Sequence, residues 1–201
     1  MILVNKETLE TYQPHQVAEM NPHIMFDFSG AGLADSEYAI VYMPNQPVFD
    51  TRYQVANVGE VIESEGVYSS EWVLSPVDLP LQELAAMKAA EIGSACETEI
   101  LSGFYSDAIG SMHFYSCDRD AQMNIQANLI ASLAGIDVMH YCTDSNGARA
   151  KRLHTVGQMR ELGLSMGAHI WPKLDKANDL RLEIEAAVAA NDITSLIAIK
   201  W

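Results

Sequence analysis

Apolar positions follow one rhythm over the first eighty residues and another over the rest. Up to about residue 80 they alternate in short runs broken by turn residues, the period-two pattern of strands. Met1 to Val4 reads as an edge strand, and Tyr38-Ala-Ile-Val-Tyr-Met43 as a buried one stopped by Pro44. Gly30-Ala-Gly32 and Pro44-Asn-Gln-Pro47 punctuate this interval. Tyr53 to Ile62 places Tyr53, Val55, Asn57, Gly59 and Val61 on one face, Glu65-Gly66 supplies a turn, and Val67 to Leu74 returns as a hairpin. Tyr68 and Trp72, four apart on that return strand, share a face and are either sheet core or a partner-binding patch. Pro76 and Pro80 form a stiff connector.

From Leu81 the period becomes about 3.6. Ala85, Ala89, Ile92, Cys96 and Ile100 predict a helix that Gly103 ends. Phe104-Tyr105 and Met112-His-Phe-Tyr115 predict a hairpin around Gly110. A second helix, capped by Asp118 or Asp120, carries Met123, Ala127, Ile130 and Leu133 as its apolar stripe and stops before Gly135. Val138 to Cys142 and Arg149 to Leu153 read as strands around the tight turn Asp144-Ser-Asn-Gly147. A third helix starts near Thr155 with Val156, Met159, Leu162, Met166 and Ile170. Pro172 opens a fourth with Leu174, Ala177, Leu180, Ile184 and Val188, Trp171 packs between these two, and Asp192 caps a last turn, Ile193 to Trp201. The expected fold is α+β, with a small β-rich attachment domain over 1–80 and a mainly helical domain with one or two hairpins over 81–201.

Charge narrows the partners. The 201 residues carry a formal charge of −15, and residues 1–80 hold twelve acidic residues against two basic ones. Such a surface repels phosphate backbones, so direct nucleic-acid binding is not expected. It suits a basic protein partner or simply keeps the chain solvated. No apolar run approaches the roughly 20 residues of a membrane span, and Met1-Ile-Leu-Val-Asn-Lys lacks the character of a signal peptide. Neither membrane insertion nor export is therefore expected, and three cysteines without CxxC spacing read as reduced thiols of a protein made in the cytoplasm.

Candidate chemistry is sparse. Cys96, His113, Cys117, His140, Cys142 and His154 are enough ligands for zinc, and His140 and Cys142 share a strand face. Yet no pair of ligands two to four residues apart on a turn occurs twice, so buried thiols and hydrogen-bonded histidines are the competing reading. Cys117, just before a helix whose dipole would lower its pKa, is the best candidate nucleophile, making an enzyme or zinc site around Cys117 and His140 the alternative from a different class. Asp120, Gln122 and Asn124 open the second helix, and His154, Thr155 and Gln158 the third. Both sets are expected to satisfy helix starts and to cross-link two helices as a structural polar network, with Thr155 and Gln158 as a capping box. No phosphate loop, dinucleotide fingerprint, nucleophile elbow or zincin motif occurs, so neither a cofactor nor a catalytic residue is expected.

Several of these residues recur together. Cys96 with Ile100, Gly103-Phe104, Gly110-x-x-His113-x-Tyr115, Asp120-Ala-Gln-Met-Asn124, His154-Thr-Val-Gly-Gln158 and Ile193-Thr-Ser-Leu-Ile-Ala-Ile-Lys-Trp201 lie in the segment from about Leu84 to Trp201, about 120 residues long. In order and spacing this segment resembles an uncharacterised C-terminal domain of bacteriophage tail-fibre and tail-fibre-assembly proteins. It departs from that family's adjacent Asp-Gln before Asn, which Ala121 interrupts. The stretch Asn57-Val-Gly-Glu-Val to Glu71-Trp72 looks like the small β domain of tail-fibre-assembly proteins. The resemblance implies a non-enzymatic phage tail protein, made in the host cytoplasm and carried in the virion tail. It would bind tail-fibre or baseplate proteins, with further copies of itself as another candidate partner. An assembly chaperone absent from the mature particle is the alternative. Tyr68, Trp72 and the exposed end at Trp201 are the aromatic anchors such binding would use.

Overall fold

A computed structural model describes residues 1–23, 33 and 36–201. The turn signal Gly30-Ala-Gly32 lies outside the described residues. The protein is α+β and divides into two compact units, Met1–Asp78 and Leu79–Trp201.

The first unit is β-rich. Strand β1 (Ile2–Asn5) lies between β2 (Thr11–Tyr12) and β3 (Tyr38–Tyr42), antiparallel to both. It is therefore central rather than an edge strand. Ile2 and Val4 pack with Val41 and Val61 on one sheet face, while Leu3 packs with Val17, Leu33 and Tyr38 on the other. Three consecutive apolar residues demand cover on both faces, which an edge position would not provide. Val17 comes from the short helix α1 (Pro14–Met20), whose single buried residue leaves little periodic signal.

The expected long hairpin is split between two sheets. Strands β5 (Ile62–Ser64) and β6 (Val67–Ser69) keep the Glu65-Gly66 turn, and β6 continues the first sheet by pairing parallel to β3. Strand β4 (Gln54–Val58) pairs instead with β7 (Trp72–Pro76) in a separate ladder. Gly59 marks the break: its N–H donates to the Glu71 carbonyl at 2.8 Å, and a Cβ there would lie 2.9 Å from that oxygen. Only glycine admits that approach. Tyr53 is buried within the turn that closes on Asp50, not in the strand. Parity thus shifts by one: Gln54, Ala56 and Val58 are half-buried, and Val55 and Asn57 face solvent.

The second unit holds α2 (Leu81–Leu101), β8 (Phe104–Ser106), β9 (His113–Tyr115), α3 (Arg119–Leu133), β10 (Val138–Thr143), β11 (Arg149–His154), α4 (Val156–Ala189) and α5 (Ile193–Ala198). Two hairpins join into one antiparallel sheet, order β11-β10-β9-β8. Its core comprises Phe104, Tyr115, Cys117, Ile125, Val138, Cys142, Met159 and Leu162. Helix α2 buries Leu84, Lys88, Ile92 and Cys96, with Ala85 and Ala89 only half-buried beside them.

The expected third and fourth helices are one. Pro172 removes one N–H from the ladder, yet α4 runs through it. Packing on α2 compensates: His169 Nε2 donates to the Ile100 carbonyl at 3.0 Å, and the Cys96 thiol donates to the Lys173 carbonyl at 3.5 Å. Trp171 does not pack between helices. It is 61% exposed, and its ring lies over Gly167, where a Cβ would come within 2.7 Å of it.

Helix α3 is turned the other way round from the pattern's expectation. Met123, Ile130 and Leu133 are 60%, 68% and 67% exposed, and Ala127 is exposed with them. The inward face carries Ile125 and Ser132, with Gln122, Asn128 and Leu129 half-buried. Polar residues are tolerated there because each is bonded: Gln122 Nε2 donates to the Cys117 carbonyl at 2.8 Å, Asn128 to His140 at 2.9 Å, and Ser132 to the Leu129 carbonyl at 2.7 Å. Among the described residues no helix is long and apolar enough to cross a membrane.

Candidate functional site

Alternation along three strands of the second unit gathers its ionisable groups on one side of the sheet. His140 and Cys142 of β10 point inward, and the register sets His140 opposite Arg152 and Val138 opposite His154. From β9, Tyr115 reaches the same place: its hydroxyl donates to Nε2 of His154 at 2.9 Å. Nδ1 of His154 donates to the Arg152 carbonyl at 2.9 Å, which fixes a neutral imidazole with Nε2 as acceptor. Nδ1 of His140 accepts from Nδ2 of Asn128 at 2.9 Å. Arg152 donates to the Cys142 carbonyl at 3.3 Å and pairs with Asp144 at 2.7 Å. The Tyr115 ring stacks on His140 at 6.1 Å, and His154 stands edge-on to both.

Burial sets the protonation of this cluster. It pushes His140 down to about 4, with the neighbouring His154 adding to the shift. Burial lowers His154 as well, and it raises Tyr115, helped by Cys142. Both imidazoles are therefore uncharged and the phenol protonated at neutral pH. Cys117 departs from the expected helix-start thiolate. It is fully buried, and burial first, then Asp118, pushes its thiol up. Desolvation outweighs the dipole of α3 there. All three cysteines are free and buried, and among the described residues no three His, Cys, Asp or Glu side chains come together as metal ligands.

Beside the cluster lies a cleft of about 470 Å³ between α3 and β10. Its walls include Asp120, Ala121, Asn124 and Asn128 on the helix side and Met139 through Thr143 on the strand side. Asp118 stands at its rim with Arg149 and Lys151, each of which lies 5.2 Å over the Tyr141 ring.

The family model for a domain of unknown function, DUF4376, matches residues 83–197. The chain belongs to this family. No curated protein and no solved structure matches the chain.

Within the DUF4376 segment, Thr155 caps α4 and Gln158 closes the capping box, accepting from the Thr155 N–H at 2.9 Å. Asp118, not Asp120, caps α3. The other network residues separate. Gln122 bonds within its own helix start, Asp120 and Asn124 border the cleft, and His154 is held by Tyr115, so the two sets do not cross-link α3 to α4. Trp201 is not a free end: it is half-buried, donates to Glu99 at 2.7 Å, and lies under Lys176 Nζ at 4.3 Å. In the other unit, Tyr68 and Trp72 fall on different strands of different sheets. Both are half-buried against the Ile2–Val41 core, and Trp72 donates to the Pro44 carbonyl at 3.0 Å. Tyr115 enters the sequence reading only as a hairpin and motif residue, and Asn128 and Arg152 were not singled out. The inward parity of Val138, His140 and Cys142 signals such a cluster, but its partners come from β9, α3 and β11.

Proposed function

We propose that this protein is a bacteriophage tail component, associated with the fibre or baseplate, that works by binding neighbouring proteins and not by catalysis. The phage context rests on the sequence resemblance over residues 84–201. The observation that carries binding is the outward stripe on α3, where Met123, Ala127, Ile130 and Leu133 meet solvent. Its setting sharpens the point: residues 121–136 form a run of sixteen without one Asp, Glu, Lys or Arg, in a chain of net charge −15. Isolated exposed apolar residues are ordinary, but a stripe at helical spacing is what a partner's apolar groove receives. The buried cluster fits a binding role too, because its imidazoles and phenol are buried and hydrogen-bonded within the fold and its thiols are enclosed. The partner surface thus moves from Tyr68, Trp72 and Trp201, which are engaged within the chain, to α3.

Mass spectrometry of purified particles, with copy number per virion, tests this alongside the soluble lysate. A fixed copy number matching the tail symmetry is expected. Presence in the lysate alone, bound to a fibre protein, would instead make the chain an assembly chaperone.

A further inference from the structure

Strand β10 pairs with β11 along all six of its residues, but with β9 only through Thr143 and Phe114. Beyond that point the chain leaves β9 and turns into α3, which packs against β10. Asn128 anchors it there through His140. The gap between them is the cleft of about 470 Å³. Five consecutive β10 residues, Met139 to Thr143, line it. Side chains of a strand alternate between faces, so a wall of consecutive residues is the strand's edge, and the backbone N–H and C=O groups of the alternate residues that do not face β11 turn towards the cleft. A strand edge left open in this way is a template for a further strand.

We propose that this cleft receives an extended polypeptide segment of another protein, which adds to β10 as a strand under α3. The proposal rests on the binding reading above and names the chemistry of one partner. The four residues before the Thr143 pairing, Met139 to Cys142, at about 3.3 Å each give an open wall of roughly 13 Å, the span of a short extended peptide. Main-chain hydrogen bonds supply the affinity in such strand addition, and alternate side-chain positions the preference. Asn124, whose side-chain amide has no hydrogen-bond partner among the described residues, lines the cleft from α3 and offers that amide to the incoming backbone. Charges of both signs, Asp118 and Asp120 against Arg149 and Lys151, stand at the rim. They oppose each other, so no single net charge is selected and binding depends only weakly on salt. A nucleic-acid strand fits poorly, since it would bring its phosphates to a chain of charge −15.

The test uses the full chain and short peptides selected on it from a random display library. Affinity is measured by fluorescence anisotropy and the site mapped by amide chemical shifts. A selected peptide is expected to shift the amides of Met139 to Thr143. N-methylation of one alternate set of its amides should weaken binding roughly tenfold or more, and methylation of the other set should not. Because the modification is in the peptide, the protein's folding is untouched. Failure to enrich any peptide, shifts that map to the outward face of α3 instead, or equal tolerance of both methylation patterns would each overturn the proposal. Peptide binding by a chain missing from particles would leave this inference standing and remove the tail-component reading; the converse result would do the opposite.

Discussion

The phenol of Tyr115 and the imidazole of His154, thirty-nine residues apart in sequence, form a buried hydrogen bond of 2.9 Å inside the second unit. It joins β9 to β11 across β10. Tyr115→Phe keeps the ring and its stack on His140 but leaves Nε2 of His154 without its donor. An unpaired buried acceptor costs about 1–3 kcal/mol. Thermal or urea unfolding of the second unit should show a loss of that size; an unchanged midpoint would mean that water replaces the hydroxyl.

The same cluster makes stability depend on pH. Burial lowers His140 to about 4 in the folded chain, well below its ordinary value, and lowers His154 in the same direction. As pH falls below about 6.5, the unfolded chain binds protons that the folded chain refuses, so stability drops until the folded value is reached. It is fully present above about 6.5 and declines towards pH 4, by roughly 1–3 kcal/mol for His140. His140→Gln should flatten this decline in midpoints measured between pH 7 and 4.5. An identical slope in that variant would assign the effect to other groups.

Gly103 sets the exit from α2. Its φ is +86°, and a Cβ would sit 2.3 Å from the Phe114 ring and 2.7 Å from the Tyr115 carbonyl. Gly103→Ala combines a left-handed backbone with a clash against β9, so a loss of about 2–4 kcal/mol is expected from denaturant unfolding. Gly110→Ala is the control: its φ is +89° but nothing lies within 4 Å. It should cost about 1 kcal/mol.

Elements with strong local chemistry were legible in the sequence. Thr155-x-x-Gln158 announced its capping box, Gly103 and Gly110 their turns, and the alternation in Val138 to Cys142 its strand. Where two readings were locally equal, tertiary contacts decided. Helix α3 carries apolar residues on two faces, and the packing of Ile125 in the core together with the bond of Asn128 to His140 selects the polar-containing one for burial. Pro172 looked like a helix start because periodicity cannot show that α2 supports the ladder from one side. Cys117 and His140 could be named from the sequence as chemistry-bearing residues. Their protonation could not, because it depends on how deeply the fold encloses them.

The outward stripe of α3 is the centre of the proposed function, and Ile130→Lys addresses it most directly. At 68% exposure, Ile130 should tolerate lysine with a stability change within about 0.5 kcal/mol, whereas a core isoleucine loses roughly 2–5 kcal/mol on truncation. The decisive measurement is quantitative co-purification of tail proteins from phage-infected lysate with the wild-type chain and with Ile130→Lys, each matched by its unfolding midpoint. An unchanged midpoint together with loss of the tail partner is the expected result. Retention of the partner at the wild-type level by an equally stable variant would contradict the assignment of α3 as the binding face.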